Sequence, residues 1–482
     1  MGLGKTRSAI GAACMYMEDW PVLIICPSTA RYHWQHELLA VLSPNVITSR
    51  DITVVDSSSH PIYRNNKNET YKFYIISYNL MVPFLVTLIP HPRSLTHSLT
   101  HKVSLVGKLD MIGFNCIIAD ESHYLKSQKA KRTKVILPML KKSNRAILLS
   151  GTPALSRPIE LFSQLHALDS RRWSSEGEFG KRYCRPKPDE SKYSYSDFKG
   201  ASNTAELHMI LSATRMIRRL KADILTQLPP KERFIERIQV NNPLKRDALK
   251  QILSDIVTNE YLIKKYKRDK RKRKKAGTDS IDAPSNGNDE LAESRASKKA
   301  LVLSLFTKSG DAKLDAILPY IRDFLNDKLK GKLLIFGHHK NVLDGICKYL
   351  DNYGGAEYIR IDGTTPSKDR QSRVQFFQNS ASCRVAVLAI TAAGVALTLT
   401  AAATIYFAEV YWTPGSLIQA EDRAHRIGQL SHVKVYYFLG DGTIDDIIWP
   451  LVKKKIQVLG EVVEGTIRSL ALYLVTDVLS FS

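Results

Sequence analysis

Short, continuous apolar runs alternate with amphipathic segments along most of the chain, and each run has the length of one buried strand. In the first half the runs are VLIICP at 22–27, FYIISY at 73–78, FNCIIAD at 114–120 and AILLSG at 146–151. The pattern resumes after residue 331 with KLLIFG, YIRIDG, VAVLAI, TIYFAE and VKVYYFL. Apolar strands separated by helices are typical of parallel sheets covered on both faces. We therefore predict an α/β fold of two lobes, each built on a mainly parallel sheet.

The stretch from residue 385 to residue 408 is uncharged for 24 residues, which is long enough to cross a bilayer. It contains four threonines and the central Gly394, and both of its ends are rich in β-branched residues. This composition favours two short buried strands joined by a loop over a membrane helix. We expect no membrane association.

A strongly basic run lies between the two predicted lobes. Residues 264–275, KKYKRDKRKRKK, hold ten Lys or Arg and one Asp. The run is either a solvated helix end or loop, or a nuclear-import or DNA-backbone patch. The polar stretch at 276–299 is rich in small residues and predicts a mobile linker or insertion. The predicted domains are lobe 1 at 1–235, the linker or insertion at 236–310, lobe 2 at 311–440, and a C-terminal helix and tail at 441–482.

Composition and net charge indicate which kind of molecule the protein binds and whether it is secreted. The chain has 482 residues, is 44% hydrophobic and carries a net charge of +23 from 70 Lys or Arg and 47 Asp or Glu. The apolar content excludes a disordered or fibrous protein, and the charge favours nucleic acid over an acidic membrane. Six scattered cysteines without a C-x-x-C pair argue against a zinc site or a disulfide framework. No signal peptide opens the chain, so we do not expect secretion.

Two motifs in the first half suit phosphate and metal chemistry. GLGKT at 2–6 precedes a predicted helix, where loop N–H groups hold phosphates, Lys5 reaches the β/γ-phosphates and the Thr6 hydroxyl ligates magnesium. DESH at 120–123 follows a strand, so one carboxylate can join the magnesium shell while the other orients and deprotonates water. Read singly, the first motif is equally a helix N-cap and the second a solvated strand end.

Two further motifs complete a series. SGTP at 150–153 follows a strand, and its small and hydroxyl residues can hydrogen-bond the acidic loop. In QAEDRAHRIGQ at 419–429, Arg423 and Arg426 are predicted to share one helix face and to stabilise charge on a transferring phosphoryl group. Read singly, these are a tight turn and a salt-bridged surface helix with Glu421 and Asp422 pairing locally. Their order across two lobes favours a nucleotide site that opens and closes.

Taken together, GLGKT, DESH, LLSGTP and QAEDRAHRIGQ in this order resemble the ATPase core of the Swi/Snf-type helicase-like family, double-stranded DNA translocases with two RecA-like lobes. Segments at 200–231, 333–346, 358–370 and 407–429 resemble the annealing-helicase branch of HARP-like proteins and their zinc-finger Ran-binding relatives, which rewind DNA and remodel stalled replication forks. The resemblance spans about residues 1–465. It implies DNA-dependent ATP hydrolysis, ATP and magnesium as cofactors, double-stranded and forked DNA and replication or repair proteins as partners, and nuclear residence.

The resemblance also implies roles for single residues. Those that bind nucleotide are Gly2, Gly4, Lys5, Thr6 and Gln419. Thr6 and Asp120 are the magnesium ligands, Glu121 activates water, and Arg423 and Arg426 face the γ-phosphate. The coupling residues are Ser150, Gly151 and Thr152, and the DNA-binding candidates are Ser28, Thr29, Thr391 and Gly394. Trp34 occupies a family position but is equally a helix-packing aromatic. Residues 442–465 resemble the family's C-terminal brace, an amphipathic helix that runs back across the lobes.

The sequence departs from the family pattern in places. The family usually has DEMGLGKT, so Met1 coincides with the methionine inside that motif and the upstream strand and adenine-binding segment are missing. We expect the natural reading frame to extend upstream, and a chain starting at Met1 to bind ATP poorly. Ala396 replaces a usual glycine, and no zinc-finger, nuclease or HARP-type domain is visible. The alternatives are a nucleosome-remodelling ATPase and a catalytically inactive DNA-binding fragment. The tail at 466–482 has no assigned role.

Overall fold

The computed structural model shows a first lobe built on a five-stranded sheet. The described residues are 3–65, 68–82, 105–154, 156–184, 198, 200–275, 286–354, 357–391, 397–464 and 473–474. The strands of this lobe are β1 (Val22–Cys26), β2 (Ile52–Val54), β3 (Phe73–Ser77), β4 (Cys116–Asp120) and β5 (Arg145–Leu149). Their order is β2-β3-β1-β4-β5, and every neighbouring pair is parallel.

Helices cover both faces of this sheet. The helices of this lobe are α1 (Lys5–Cys14), α2 (Arg31–Val41), α3 (Leu105–Ile112), α4 (Lys131–Lys142), α5 (Phe162–Leu168), α6 (Glu176–Tyr183), α7 (Thr204–Thr214) and α8 (Lys221–Ile224), of which α1 to α5 share cores with the sheet. Successive strand residues face opposite sides. Val22 and Ile24 therefore share a core with α1 and α2, while Leu23 and Ile25 share another with α3 and α4.

The second lobe is built on a seven-stranded sheet. Its strands are β6 (Lys231–Ile238), β7 (Lys332–Gly337), β8 (Glu357–Ile361), β9 (Cys383–Ala389), β10 (Ala402–Phe407), β11 (Val433–Gly440) and β12 (Tyr473–Leu474). They lie in the order β12-β6-β11-β10-β7-β9-β8, again with every pair parallel. β6 spans the predicted domain boundary at residue 235 and pairs with β11.

The helices in the described part of the second half are α9 (Pro243–Lys275), α10 (Asn286–Asn326), α11 (Lys340–Tyr353), α12 (Ser367–Asn379), α13 (Pro414–Glu421) and α14 (Asp445–Glu464). Helices α9 and α10 pair as a long hairpin whose base shares a core with β8 and β10. The other face of the sheet packs against α11 and the end of α10. Both faces are apolar because parallel strands are buried on both sides.

The predicted fold of two RecA-like lobes is confirmed, and all nine predicted apolar runs form strands. The sequence did not predict β2, β6 or β12. The uncharged stretch at 385–408 forms β9 and β10, and across the part of the chain that the structure describes no helix has the length and apolarity to cross a membrane.

Of the two readings, linker or insertion, the mobile linker does not hold for residues 286–299, which are helical and belong to α10. The physical reason is that this stretch pairs along α9, where Lys298 donates to Glu260. A polar stretch that lacks an apolar core of its own is stabilised here by a neighbouring helix. Residues 276–285 lie outside the described residues.

Helix α14 connects the two lobes. Its first half holds Ile448, Trp449 and Val452 in the core of the second lobe. Its last turns place Val462 and Val463 in a cluster with helix α7 of the first lobe. The Thr204 hydroxyl donates to Glu461 Oε2 at 3.0 Å, which adds a polar contact between the lobes.

Candidate functional site

The predicted phosphate loop ends in the conformation that a helix start requires. Gly4 has a φ of +72°, in the left-handed region, and is the N-cap of α1 without any side-chain cap bond. Glycine adopts this conformation without the cost a side chain would carry. Lys5 and Thr6 then form the first turn, where free N–H groups and the helix dipole favour an anion. Gly2 lies outside the described residues.

The acidic pair lies at the carboxyl end of the central strand β4. Asp120 is the last residue of that strand, and Glu121 follows with φ 50° and ψ 51°. A left-handed conformation is uncommon for a residue with a side chain and marks functional sites more often than others. Asp120 Oδ1 accepts from the Glu121 N–H at 2.9 Å, which fixes the two carboxylates relative to each other.

Trp34 orients Asp120. Its indole Nε1 donates to Asp120 Oδ2 at 3.0 Å, although the two residues are 86 positions apart in the chain. Trp34 lies on α2 and is fully buried in the core between the sheet and helices α1 and α2. It therefore contributes both to packing and to a polar contact. The Tyr78 hydroxyl adds a bond to the Asp120 carbonyl oxygen at 2.8 Å. The sequence predicted neither contact, because nothing in a local pattern marks partners on separate strands and helices.

Opposite pKa shifts separate the two carboxylates. Burial, and then the neighbouring Glu121 charge, raise the pKa of Asp120. Burial also opposes ionisation of Glu121, but His123, Lys5 and Arg423 outweigh it and lower the pKa of Glu121. His123 Nδ1 lies 3.2 Å from Glu121 Oε2. Paired titratable groups with pKa values pushed apart are typical of acid and base roles.

The donor set fits a magnesium ion held partly by its nucleotide. Asp120 is a buried carboxylate that a cation would stabilise, and Thr6 offers a hydroxyl in the first turn of α1. Among the described side chains no group of three or more His, Cys, Asp or Glu residues is arranged to hold a metal. Magnesium commonly takes one or two protein ligands and completes its shell with phosphates and water.

The SGTP segment contacts the acidic loop as predicted. Ser150 Oγ lies 3.5 Å from His123 Nδ1, and Gln164 forms a second connection between the two loops. The Ser122 hydroxyl donates to Gln164 Oε1 at 2.7 Å, and Gln164 Nε2 donates to the Pro153 carbonyl at 2.7 Å. Movement of either loop would therefore strain or break the hydrogen bonds that connect it to the other.

One hydrogen bond joins this segment directly to the second lobe. Gln419, buried on α13, donates through Nε2 to Thr152 Oγ1 at 3.2 Å. Arg218 Nη1 also donates to the Gly151 carbonyl at 3.2 Å. The predicted coupling residues of the first lobe thus meet the motif QAEDRAHRIGQ of the second.

The two arginines come close enough to Glu121 for its charge to act on both. The prediction that they share a helix face is wrong, because α13 ends at Glu421 and both arginines lie in the turn that follows. Arg426 Nη1 donates to the Leu397 carbonyl at 3.1 Å and to Thr398 Oγ1 at 3.0 Å. Arg423 is 3% exposed, and its Nε has no hydrogen-bond partner within the described part of the protein.

Burial decides the state of Arg423. Removal from water, and then the nearby Arg426, lower the pKa of Arg423 to about 10. The group stays charged at neutral pH, yet its Nε is a buried donor that finds no acceptor in the described ranges of the chain, which is costly. An anionic oxygen placed between the lobes would satisfy it. The geometry therefore fits a phosphate facing Arg423.

The alternative of local pairing for Glu421 and Asp422 is wrong as well. Arg233 Nε and Nη2 each lie 2.7 Å from a Glu421 oxygen, and Lys231 Nζ lies 2.7 Å from Oε2. The Tyr437 hydroxyl donates to the same carboxylate at 2.7 Å. Lys221 Nζ lies 2.9 Å from Asp422 Oδ1. These partners come from β6, β11 and α8, so the acidic residues fasten the arginine turn to the sheet.

The DNA-binding candidates lie after strand ends. Ser28 and Thr29 form a short turn after β1, held by Arg31, whose Nε donates to the Ser28 carbonyl at 3.0 Å. Thr391 is exposed just after β9. Gly394 and Ala396 lie outside the described residues. The carboxyl ends of parallel strands share one edge of a sheet, so Ser28 and Thr29 lie on the edge that carries the acidic pair. Thr391 lies on the carboxyl-terminal edge of the second sheet, whereas the arginine turn contacts residues that precede β10 and β6, at the opposite edge of that sheet.

Comparison with known proteins decides the family. Residues 1–283, more than half of the chain, match the model of the SNF2-related domain. The chain belongs to the SNF2-related family. Residues 312–428 match the helicase conserved C-terminal domain. GLGKT, DESH and SGTP fall in the first match, and Arg423 and Arg426 fall in the second.

This SNF2-related chain has similar curated relatives. It is 38% identical over 470 residues to DNA annealing helicase and endonuclease ZRANB3 of Bos taurus, covering 96% of this chain and 38% of the relative. It is also 38% identical to the SWI/SNF-related matrix-associated actin-dependent regulator of chromatin subfamily A-like protein 1 of Xenopus laevis, covering 96% and 41%. The predicted resemblance to the annealing-helicase branch is confirmed. The chain spans about two fifths of the length of these relatives.

Among solved structures, the SNF2-related chain is similar to the Sulfolobus solfataricus SWI2/SNF2 ATPase core in complex with dsDNA. That match has a TM-score of 0.36 and 21% identity, and it covers 96% of this chain and 87% of the other. The C-terminal part of the Fun30 ATPase domain matches with a TM-score of 0.37 over 47% of this chain.

Proposed function

We propose that this chain is an ATP-dependent double-stranded DNA translocase that rewinds DNA and remodels stalled replication forks. One observation carries the proposal: the charge of Glu121 in the first lobe acts on buried Arg423 of the second, whose Nε has no acceptor among the residues that the structure describes. A site divided in this way is complete only when the lobes are together. Hydrolysis can then be converted into relative movement. The similarity to ZRANB3, a DNA annealing helicase by name, supports the branch.

The residues divide the chemistry between them. The start of α1, with Gly4, Lys5 and Thr6, holds the phosphates. Thr6 and Asp120 would hold magnesium, which would neutralise charge on the nucleotide phosphates. Glu121 stays ionised because its pKa is lowered, so it can orient and deprotonate water. Arg423 and Arg426 stabilise negative charge that develops on the transferring phosphoryl group.

The test of the proposal is ATP hydrolysis by the purified chain without DNA and with duplex, forked and nucleosomal DNA. We expect stimulation by duplex and a larger one by forked DNA. Greater stimulation by nucleosomes than by naked DNA would instead favour a nucleosome-remodelling ATPase. Salt-sensitive DNA binding without any hydrolysis would leave a catalytically inactive DNA-binding protein.

We also propose that the protein resides in the nucleus, where forked DNA is found. The basic run at 264–275 is consistent with import. Microscopy of a fluorescently tagged protein in a eukaryotic cell tests the proposal. A uniformly cytoplasmic signal would contradict it.

Replacing Trp34 with phenylalanine is expected to weaken magnesium use. Phenylalanine fills most of the buried space but lacks the Nε1 donor that holds Asp120 Oδ2. Loss of such a supporting bond typically costs about 10- to 100-fold in metal affinity. The measurement is the magnesium concentration that gives half-maximal ATP hydrolysis. A lower melting temperature with an unchanged magnesium dependence would show that Trp34 contributes only to packing and does not support Asp120.

Replacing Thr152 with valine is expected to weaken coupling between the lobes. Valine keeps the shape but removes the hydroxyl that accepts from Gln419. A single hydrogen bond is worth about 0.5–1.5 kcal/mol, which corresponds to about a two- to tenfold fall in the ratio of DNA-stimulated to DNA-independent hydrolysis. Thr152→Ser retains the hydroxyl and serves as the matched control. Equal ratios for the valine and serine variants would contradict the role.

A further inference from the structure

The α9–α10 hairpin extends past the carboxyl-terminal edge of the second sheet. Phe324, near the end of α10, shares a core with Leu333 at the start of β7. Phe306 lies 18 residues earlier in α10 and packs against two histidines that follow the end of β7. Its ring centroid lies 5.2 Å from that of His338 and 4.5 Å from that of His339. Helix α10 therefore runs antiparallel to β7. The roughly twenty residues before Phe306 continue beyond that edge for about 30 Å.

The base of the hairpin is fixed on the lobe. Leu249, Ile252 and Ile256 of α9 share the main core of the second lobe with Leu305 and Phe306 of α10. Farther out, Lys298 donates to Glu260 between the two helices. The core of the second lobe thus determines the direction in which the hairpin extends from that lobe.

The outer end of the hairpin is strongly basic. The last three turns of α9 coincide with the basic run at 264–275, and the sequence from 264 to 299 has 13 Lys or Arg against six Asp or Glu. Lys264, Lys265 and Arg268 are exposed. The run has charged residues at nearly every position, so it has no apolar stripe with which to pack on a partner helix. Such a helix end is suited to a polyanion.

We propose that this outer end, residues 264–275, binds the phosphate backbone of duplex DNA outside the interlobe cleft. The inference rests on the proposed function, since it requires a duplex at the carboxyl-terminal edges of the sheets. A reach of about 30 Å corresponds to about nine base pairs at 3.4 Å each. Such contacts hold and orient a duplex without reading its sequence. The hairpin thus gives the translocase a second grip on the duplex, beyond the carboxyl-terminal edge of the second sheet.

The experiment compares two charge-matched variants of the full chain. The first replaces Lys272, Lys274 and Lys275 at the outer end of α9 with glutamine. The control replaces three exposed lysines of the same lobe with glutamine: Lys328 and Lys330, which precede the start of β7 at the opposite edge, and Lys348 on α11. Equilibrium binding is measured on a duplex of about 10 base pairs and one of about 40 base pairs over a range of salt concentrations.

We expect the first variant to bind the long duplex on the order of tenfold more weakly at low salt, with the slope of log affinity against log salt reduced by about 2 to 3. Binding to the short duplex is expected to match the parent, and the control variant to behave like the parent on both. Parent-like binding of the long duplex by the first variant would overturn the inference and leave an import signal or a solvated helix end. Equal losses on both duplexes would overturn it too, since they would reflect net charge alone.

Failure of the inference is distinguishable from failure of the proposed function. The binding measurements need no hydrolysis, so they report on the outer end of the hairpin directly. If no DNA stimulates ATP hydrolysis by the parent, the translocase proposal fails whatever the hairpin binds. If DNA stimulates the parent and the first variant retains full long-duplex affinity, only the hairpin inference fails.

Discussion

Replacing Glu121 with glutamine is expected to lower the rate of ATP hydrolysis by about 10²- to 10⁴-fold, the usual contribution of a positioned general base. Glutamine keeps the size and hydrogen-bonding shape of the side chain but cannot accept a proton. The parent carboxylate is kept ionised by His123, Lys5 and Arg423 in spite of its burial. The measurement is single-turnover hydrolysis at saturating ATP, together with DNA binding as a check that the variant is folded.

A matched control removes a glutamate that lies far from the site. Glu357 is exposed at the start of β8, at the edge of the second sheet, and Glu357→Gln is expected to hydrolyse ATP like the parent. Parent-like hydrolysis by Glu121→Gln would mean that another group orients the water. The assignment of the acidic pair would then be wrong, although the fold would be unaffected.

Replacing Glu421 with glutamine is expected to destabilise the second lobe by about 3–5 kcal/mol, the typical cost of removing one partner from a buried ion pair. Glu421 is fully buried and accepts from Arg233, Lys231 and Tyr437. Its loss would leave the Arg233 guanidinium buried without a counter-charge. Urea unfolding followed by circular dichroism measures the change, with Glu357→Gln as the exposed control, expected within about 0.5 kcal/mol of the parent.

A double variant separates the ion pair from simple packing. Replacing both Glu421 and Arg233 with methionine removes both charges and keeps apolar volume, while Lys231 retains Asp422 at 3.4 Å. Such replacements are often neutral. We expect the double variant to recover most of the stability lost in Glu421→Gln. A double variant less stable than the single one would contradict this account of the network.

The same network makes the stability of the second lobe depend on pH in a defined direction. Burial alone would raise the pKa of Glu421, but the charges of Arg233 and Lys231 outweigh it and lower that pKa to about 2 from an ordinary 4.5. A lowered pKa in the folded state means that the unfolded chain takes up the proton first. The contribution of Glu421 is therefore complete above about pH 4.5 and is lost as the pH falls toward 2. In Glu421→Gln that part of the acid sensitivity is expected to disappear.

Strands that are buried on both faces were predictable, because nearly every residue in them is apolar. β6 was not, since its sequence KERFIERI is mostly charged. Its charges are explained only by a partner about 190 positions away, because Lys231 and Arg233 neutralise Glu421. Residues 286–299 were misread for a related reason. A polar segment forms a helix there because another helix lies beside it, and a local pattern contains no information on such a neighbour.

The chemistry of the site was predictable where a motif is contiguous. GLGKT, DESH and SGTP each lie within a few residues, so their order along the chain suggests a nucleotide site. The contact from Trp34 to Asp120 and the bond from Gln419 to Thr152 join distant segments, and they depend on how sheets and lobes pack. The helical arrangement predicted for Arg423 and Arg426 was wrong because α13 ends before them. The site roles of all these residues stay predictions until the variants are measured.

Helix α14 limits how the two lobes move. It is a 20-residue helix, about 30 Å long, with its first half in the core of the second lobe and its last turns against α7 of the first. At its start, Asp445 is paired in the interior with Lys313 at 2.6 Å, whereas its far end packs Leu459, Val462 and Val463 against the first lobe and accepts hydrogen bonds from Thr204 and His208. A helix cannot stretch without breaking its own hydrogen bonds. While both ends are held, this helix sets the separation of the two lobes along its axis and leaves rotation about that axis as the movement it permits.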